Sequence, residues 1–144
     1  MQAGREMKLL AWDKEQNIMI GPNFDKEQYA IVSYNGLALL DITREDEDGY
    51  DYEMDVEWLQ YVGHRDINGK EIYEGYITRN KRGAIGVVRF HNYWGGFYFA
   101  TVFGHDEDGE LVRSTSSVPM WNEWGTLEVI GNIYENRELM EVGK

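Results

Sequence analysis

Three stretches of this 144-residue chain set oxygen-bearing side chains at alternate positions before a glycine, the spacing used in the middle of a calcium loop. They are Arg44-x-Asp46-x-Asp48-Gly49, His64-x-Asp66-x-Asn68-Gly69 and Gly104-x-Asp106-x-Asp108-Gly109. A calcium loop needs an acid at its first position and a two-oxygen Glu at its twelfth. Here the first positions are Arg44, His64 and Gly104, and Asp55 and Thr115 stand twelfth in the first and last stretch. The same residues suit plainer chemistry. A short Asp or Asn side chain accepts the backbone N–H two residues on, and a following Gly adopts positive φ without strain. The three stretches therefore read as ordinary turns, and no metal ligands are assigned.

The other motifs of catalysis are missing. His64, His91 and His105 lie far apart and lack the H-E-x-x-H or H-x-x-E-H spacing of a metal helix. They read as turn or surface histidines. Asn68-Gly-Lys70 lacks the upstream Gly of a phosphate-binding loop. Ser114, Ser116 and Ser117 have no G-x-S-x-G elbow, and there is no cysteine to serve as nucleophile, thiolate ligand or disulfide. No catalytic, cofactor-binding or metal-binding residue is named, and no cofactor is expected.

Charge and aromatic patterning say more. The formal net charge is −12, which opposes loose binding to nucleic acid or anionic membrane. Residues 41–55 hold eight acids against Arg44 alone, whereas residues 75–105 hold no acid and carry Arg79, Lys81, Arg82 and Arg89. Phe90, Tyr93, Trp94, Phe97, Tyr98, Phe99 and Phe103 fall in that acid-free segment. Aromatics interleaved with bases can stack nucleobases and neutralise phosphates. Alternating aromatics also fill β cores, and the overall charge favours core or subunit interface here. Tyr93, Trp94, Phe97 and Phe99 are the candidate contact residues. Arg79, Lys81, Arg82 and Arg89 are the candidate basic face.

Those residues need a scaffold, and short strands between turns supply it. Lys8 to Trp12 and Ile18 to Ile20 flank a polar turn and predict a hairpin. Asn23 as a cap predicts a short helix over 24–32. Gly36 to Ile42 reads as a strand, and 44–55 as an acidic loop. Val56 to Gly63 and Glu71 to Tyr73 flank Asn68-Gly69, the strongest short-range hairpin signal, which predicts a type I′ turn. Strands are expected at 76–79, 85–90, 96–103, 126–130 and 132–134, with Asp106 to Gly109 as a turn and a terminal helix over 137–142. Strands about every ten residues suggest a small barrel or sandwich. Residues 73–90 resemble the first hairpin of an SH3-like barrel. The expected fold is mainly β, with a partly open SH3-like barrel in the C-terminal two-thirds, an N-terminal β-hairpin segment and one or two short helices. No apolar run reaches membrane-span length and no signal core opens the chain.

Three blocks carry a family resemblance: Met7-Lys-Leu-Leu-Ala-Trp-Asp-Lys-Glu-Gln-Asn-Ile-Met-Ile20, Leu59-Gln-Tyr-Val-Gly63 through Asn68-Gly-Lys-Glu-Ile-Tyr-Glu-Gly75, and Val129-Ile-Gly-Asn-Ile-Tyr-Glu-Asn136. In this order they resemble the YopX family of tailed phages and Gram-positive prophages. Two places depart from the family pattern, Tyr76 where Asp is common and Arg137 where Pro is common. The resemblance implies one YopX-like unit, with 1–6 as an extension before a possible start at Met7, 7–55 as an N-terminal β segment and 56–144 as the barrel-like part. It brings no catalytic residues. The expectation is a cytoplasmic, non-enzymatic phage or prophage accessory protein acting by protein–protein contact, as a homo-oligomer and toward a host or phage protein. A nucleic-acid-associated barrel is the alternative, and a small-molecule-processing enzyme the third.

Overall fold

The computed structural model describes residues 7–33, 35–91, 96–105, 111–113 and 124–140. Strands dominate, with two 3₁₀ turns and no long helix, as the sequence predicts. The chain divides into two compact units, Lys8–Leu59 and the part from Gln60 onward. The division falls inside a strand rather than before it.

In the N-terminal unit, β1 (Leu9–Asp13) and β2 (Ile18–Ile20) form the expected hairpin, pairing Ala11 with Ile20. Asp13 closes its turn, accepting the N–H groups of Glu15 and Gln16 at 2.9 and 3.3 Å. A three-stranded antiparallel sheet follows in the order β3 (Tyr29–Ser33), β4 (Leu37–Glu45), β5 (Asp51–Glu53). Here two expectations are corrected. The helix at 24–32 is a single turn, with Asp25 accepting from Gln28 and Tyr29 at 3.0 and 2.8 Å, and then strand β3. β-branched Ile31 and Val32 favour the pleated form, so the cap signal extends no further. The acidic loop at 44–55 is instead a hairpin: β4 runs to Glu45 and β5 returns. Its core is Ala11, Ile20, Leu39 and Met54, with Phe24, Tyr29, Tyr52, Val56 and Trp58 packed around it.

β6 (Val56–Arg65) spans the division, and its part in the C-terminal unit pairs with β7 (Glu71–Tyr73). Beyond them lies a five-stranded antiparallel sheet in the order β11 (Leu111–Arg113), β10 (Gly96–His105), β9 (Ile85–His91), β8 (Tyr76–Arg79), β12 (Glu128–Asn132). It curls as a half-barrel. Both faces of this sheet are covered at β8 and β9. Val88, Phe97 and Phe99 join Val62, Ile72, Trp124 and Leu127 on one side. Ile77 and Val87, paired across the ladder, meet Ile130, Ile133 and Leu139 on the other. Val129 and Gly131 bracket a register shift in β12, and residues 133–135 turn rather than extend, which corrects the strand expected at 132–134. The terminal helix is a 3₁₀ turn, Arg137–Met140, and a second such turn spans Trp124–Thr126, where a strand was expected to begin. The turn expected at 106–109 lies outside the described residues, as do residues 1–6.

One turn design recurs. At Asp46, Asp66 and Asn80 the first residue accepts the N–H of the glycine three residues on, and its N–H donates to the carbonyl four residues on. Its side-chain oxygen also accepts the N–H groups two and four residues on, at 2.8 to 2.9 Å. Gly49, Gly69 and Gly83 have φ of 84°, 81° and 85°. Asn68 is absent from the positive-φ residues, so the 66–69 turn is a type I turn closed by a glycine bulge, not type I′. The side chain of Asp66 supplies the reason: it caps the longer loop and holds Asn68 in the ordinary region. At 46–49 and 66–69, two of the three calcium-like stretches are these turns.

Asp66 does one thing the other two do not. It is buried, and its second carboxylate oxygen accepts the Val129 N–H at 2.8 Å, while Ile67 N–H donates to Leu127 at 2.8 Å. Asp66→Ala should cost roughly 2–4 kcal/mol in urea unfolding, since it strips a buried amide of its acceptor. Asp66→Asn should preserve the turn yet lose most of that stability, because an amide NH₂ or a single oxygen cannot serve both sides; wild-type stability for Asn would break the assignment. Thr78 gives an opposite test. Its hydroxyl is fully buried and, among the described residues, has no hydrogen-bond partner. Thr78→Val should raise stability by about 1 kcal/mol, and a loss would mean that the hydroxyl is satisfied.

Candidate functional site

Of the residues singled out by sequence, Phe97 and Phe99 go to the interior. They are 9% and 8% exposed and form part of the core beside Val88 and Leu127. The contact role expected for them is corrected: register pairs Phe99 with Val88 and turns both to the packed face. Phe90, paired with Phe97, stays 42% exposed with its ring edge-on to Phe97. Tyr93 and Trp94 lie outside the described residues.

The basic residues do not gather into one open face. Arg79 lies 3.4 Å from Glu128 on the neighbouring strand. Arg89 acts on Glu74, whose pKa is raised by burial and partly drawn back by that guanidinium. Lys81 and Arg82 remain exposed on the β8–β9 turn.

The acidic segment makes the more distinctive surface. β4 and β5 pair Leu40 with Glu53 and Asp41 with Tyr52, and the Asp46–Gly49 turn joins them. Asp46 N–H donates to Tyr50 C=O at 2.8 Å, and Tyr50 N–H returns to the Asp46 carboxylate at 2.9 Å. This fixes the backbone of Tyr50 while its side chain stands 72% exposed. Around it Glu45, Glu47, Asp48 and Asp51 are exposed. The nearby cations are held at the base of the hairpin. The Arg44 guanidinium lies 3.9 Å over the Tyr52 ring, and Lys14 sits 3.1 Å from Glu57 and 3.5 Å from Asp55. Glu57 and Asp55 together raise the Lys14 pKa, so it stays charged. The Tyr52 hydroxyl donates to Glu15 at 2.6 Å. Residues 8–59 carry 13 acids and 4 bases, net −9 of the chain's −12. Sequence reasoning found the charge but missed Tyr50, a largely exposed aromatic set among it. The signal was present: Tyr50 directly follows an Asp-x-x-Gly turn and precedes β5, so it belongs to the turn and not to the strand's inward-facing set.

The other buried polar groups of this unit are spent on structure. Asp41, 4% exposed, accepts the Thr43 hydroxyl at 2.6 Å and the Thr43 N–H at 3.0 Å. The hydroxyl bond does most to hold the Asp41 pKa below its usual value, against the opposing effect of burial. Among the described residues no cluster of His, Cys, Asp or Glu could hold a metal ion, and no helix is long and apolar enough to cross a membrane.

Residues 9–141 match the family described as YopX protein, so the chain belongs to the YopX family. No curated protein matches it. Among solved structures it is similar to the crystal structure of protein EF1440 from Enterococcus faecalis, at 22% identity over 96% of this chain and 100% of that one, with a TM-score of 0.49.

Because the Asp41 pKa is depressed in the folded state, its stabilising effect is full above the usual value of 3.8 and fades as pH falls through the lower, folded value. Asp41→Ala should therefore destabilise the protein at pH 7 and progressively less toward pH 2–3, as read by urea unfolding at each pH. A penalty that stays constant or grows on acidification would disprove the bonded carboxylate.

Proposed function

We propose that this YopX family protein is a non-enzymatic phage or prophage accessory protein that works in the bacterial cytoplasm by binding a basic surface of another protein. The observation that carries this reading is the β4–β5 hairpin, where exposed acids surround a backbone-fixed Tyr50. Tyr is a frequent hot-spot residue, because it buries a large area at little entropy cost. A strongly negative unit steers a positive partner toward it. The resemblance supports the phage setting. The spending of Asp13, Asp41, Asp66 and Asn132 on backbone amides supports a scaffold rather than a reaction centre.

The test is affinity capture from nuclease-treated host lysate, followed by measurement on the captured protein. Tyr50→Ala should weaken binding by about 2 kcal/mol, near thirtyfold. Neutralising Glu45, Glu47, Asp48 and Asp51 to their amides should weaken it further and flatten its salt dependence. Capture that nuclease abolishes, or sub-micromolar DNA binding lost with Lys81 and Arg82, would replace this reading with nucleic-acid association.

Self-association is a second reading, now on different grounds. The covered faces at β8 and β9 leave little apolar surface there for a second subunit. Lys81 and Arg82 instead offer an exposed positive turn that suits the acidic hairpin of another copy. Light scattering at micromolar concentration should then give a mass above 16.8 kDa that falls with salt. A salt-independent monomer would end it.

A further inference from the structure

The sheet that carries the acidic hairpin is unclosed among the described residues. Its order is β3-β4-β5, which leaves β3 as an edge strand. Antiparallel pairing decides which groups that edge presents. Ile42 N–H donates to Gln28 C=O at 2.8 Å, so Gln28, and by alternation Ala30 and Val32, direct their backbone groups toward β4. Tyr29, Ile31 and Ser33 therefore direct theirs away from the sheet. The Tyr29 N–H is taken by Asp25. The N–H and C=O of Ile31 and Ser33 form the open row.

A groove of about 590 Å³ lies along this strand, lined by Pro22, Phe24, Lys26, Tyr29, Ala30 and Ile31, with Asn23. Tyr29 and Ile31 point to one face of β3 and Ala30 to the other, and all three line the groove beside this edge strand. Its walls are mostly apolar, with Asn23 and Lys26 as the polar side chains. Ile31 is 43% exposed, and Phe24 is set edge-on to Tyr29 at 6.2 Å and tilted against Trp58 at 6.2 Å. The rings fix the floor, and the edge supplies backbone partners.

We propose that the edge of β3, with this groove, takes an extended Lys- or Arg-rich segment of another protein as an added β-strand. The inference rests on the contact reading above and names its geometry. Main-chain bonds to Ile31 and Ser33 hold the incoming strand, and alternate apolar side chains enter the groove. Its charge follows from the unit it docks to, where 13 acids face 4 bases; at the groove itself Lys26 lies between Asp25 and Glu27, so the preference for a cation comes from the unit as a whole. The hairpin acids belong to the same three-stranded sheet as the edge, and charges there act over about 8 Å at physiological salt.

The probe is a capped, fluorescently labelled peptide, Lys-Val-Lys-Ile-Lys-Val-Lys, titrated against the full chain. Two control peptides share its design, one with Glu for every Lys and one N-methylated at every amide. The cationic peptide should bind, and the acidic one should not. The N-methylated peptide keeps its side chains but loses its backbone donors on both edges, and should bind at least tenfold more weakly. Amide hydrogen exchange gives the direct readout: the Ile31 and Ser33 amides should slow at least tenfold on binding, while Ala30 and Val32, already bonded to β4, change little. Ile31→Pro should remove binding without unpairing β3 from β4, since the Ile31 N–H faces outward. Because the peptide arms use the unaltered protein, misfolding of that variant leaves the result readable. Equal binding of the N-methylated peptide, or unchanged exchange at Ile31 and Ser33, overturns the added strand. A lysate partner that still depends on Tyr50 would then leave the contact reading standing, whereas loss of that partner with retained peptide binding would do the reverse.

Discussion

A single buried carboxylate ties the C-terminal unit together. Asp66 has two oxygens and gives them different work: one closes the β6–β7 turn and the other holds the Val129 amide of β12. The two segments are 63 residues apart in sequence. An apolar contact would tolerate a slip of register there, but a hydrogen bond to one amide does not. The neighbouring Ile67 to Leu127 bond fixes the same alignment from the backbone side. β12 in turn pairs with β8, so the turn sets where the last strand of the sheet can lie. The remaining end is closed by Asn132, whose side chain accepts the Tyr134 and Glu135 amides and donates to Glu135, while its N–H meets the Asn136 side chain. Gly131 is required there, because a Cβ would lie 2.6 Å from the Asn136 oxygen.

These residues are the ones that make the family visible. Asn68-Gly69, Glu74-Gly75 and Gly131-Asn132 through Asn136 lie in the blocks by which this chain resembles the family, and in this chain each has a backbone task. Gly75 has φ of 87°, donates to Val88 and accepts from Ile133. The family signature is thus a set of turn and clamp instructions. It specifies a scaffold while leaving its use open, which is why the same strings that identify relatives carry no reaction with them.

The strands were legible because their signals are local. β-branched and aromatic runs bounded by Asp, Asn and Gly mark β1, β2, β6 to β9 without tertiary help. The failures share one cause, competition settled beyond the local window. Asn23 announces a helix start, but Tyr29 to Val32 find a longer ladder on β4 and the helix ends after one turn. The hairpin at Asn68-Gly69 was legible as a turn. Its type was not, since that depended on Asp66 being drawn inward by a strand far along the chain. Residues 44–55 looked too charged for a strand, yet β5 needs only Tyr52 turned inward while Asp51 and Glu53 stay in water. The site was legible in its charge alone. Phe97 and Phe99 stood out by hydrophobicity, the property that buried them, whereas Tyr50 was inconspicuous in an acidic run. The β3 edge could not be read at all, because whether a strand has one neighbour or two is a property of the assembled sheet.

An open edge is a hazard as well as a site, because any second copy could pair with it. The charge of the N-terminal unit addresses both sides of that problem. At net −9, two such units approaching edge to edge repel, and the acids of the β4–β5 hairpin sit in the same small sheet as the edge. A positive strand meets attraction instead. Discrimination therefore need not come from a close fit in the groove, which is open and mostly apolar. It comes from the sign of the charge on whatever arrives. The same reasoning bears on self-association: copies that meet must do so with acidic hairpin against the Lys81–Arg82 turn, not edge against edge. The scaffold residues and the surface residues thus answer to different demands, one set to hydrogen-bond geometry fixed by Asp66 and Asn132, the other to a field that keeps the edge exposed and selects what can cover it.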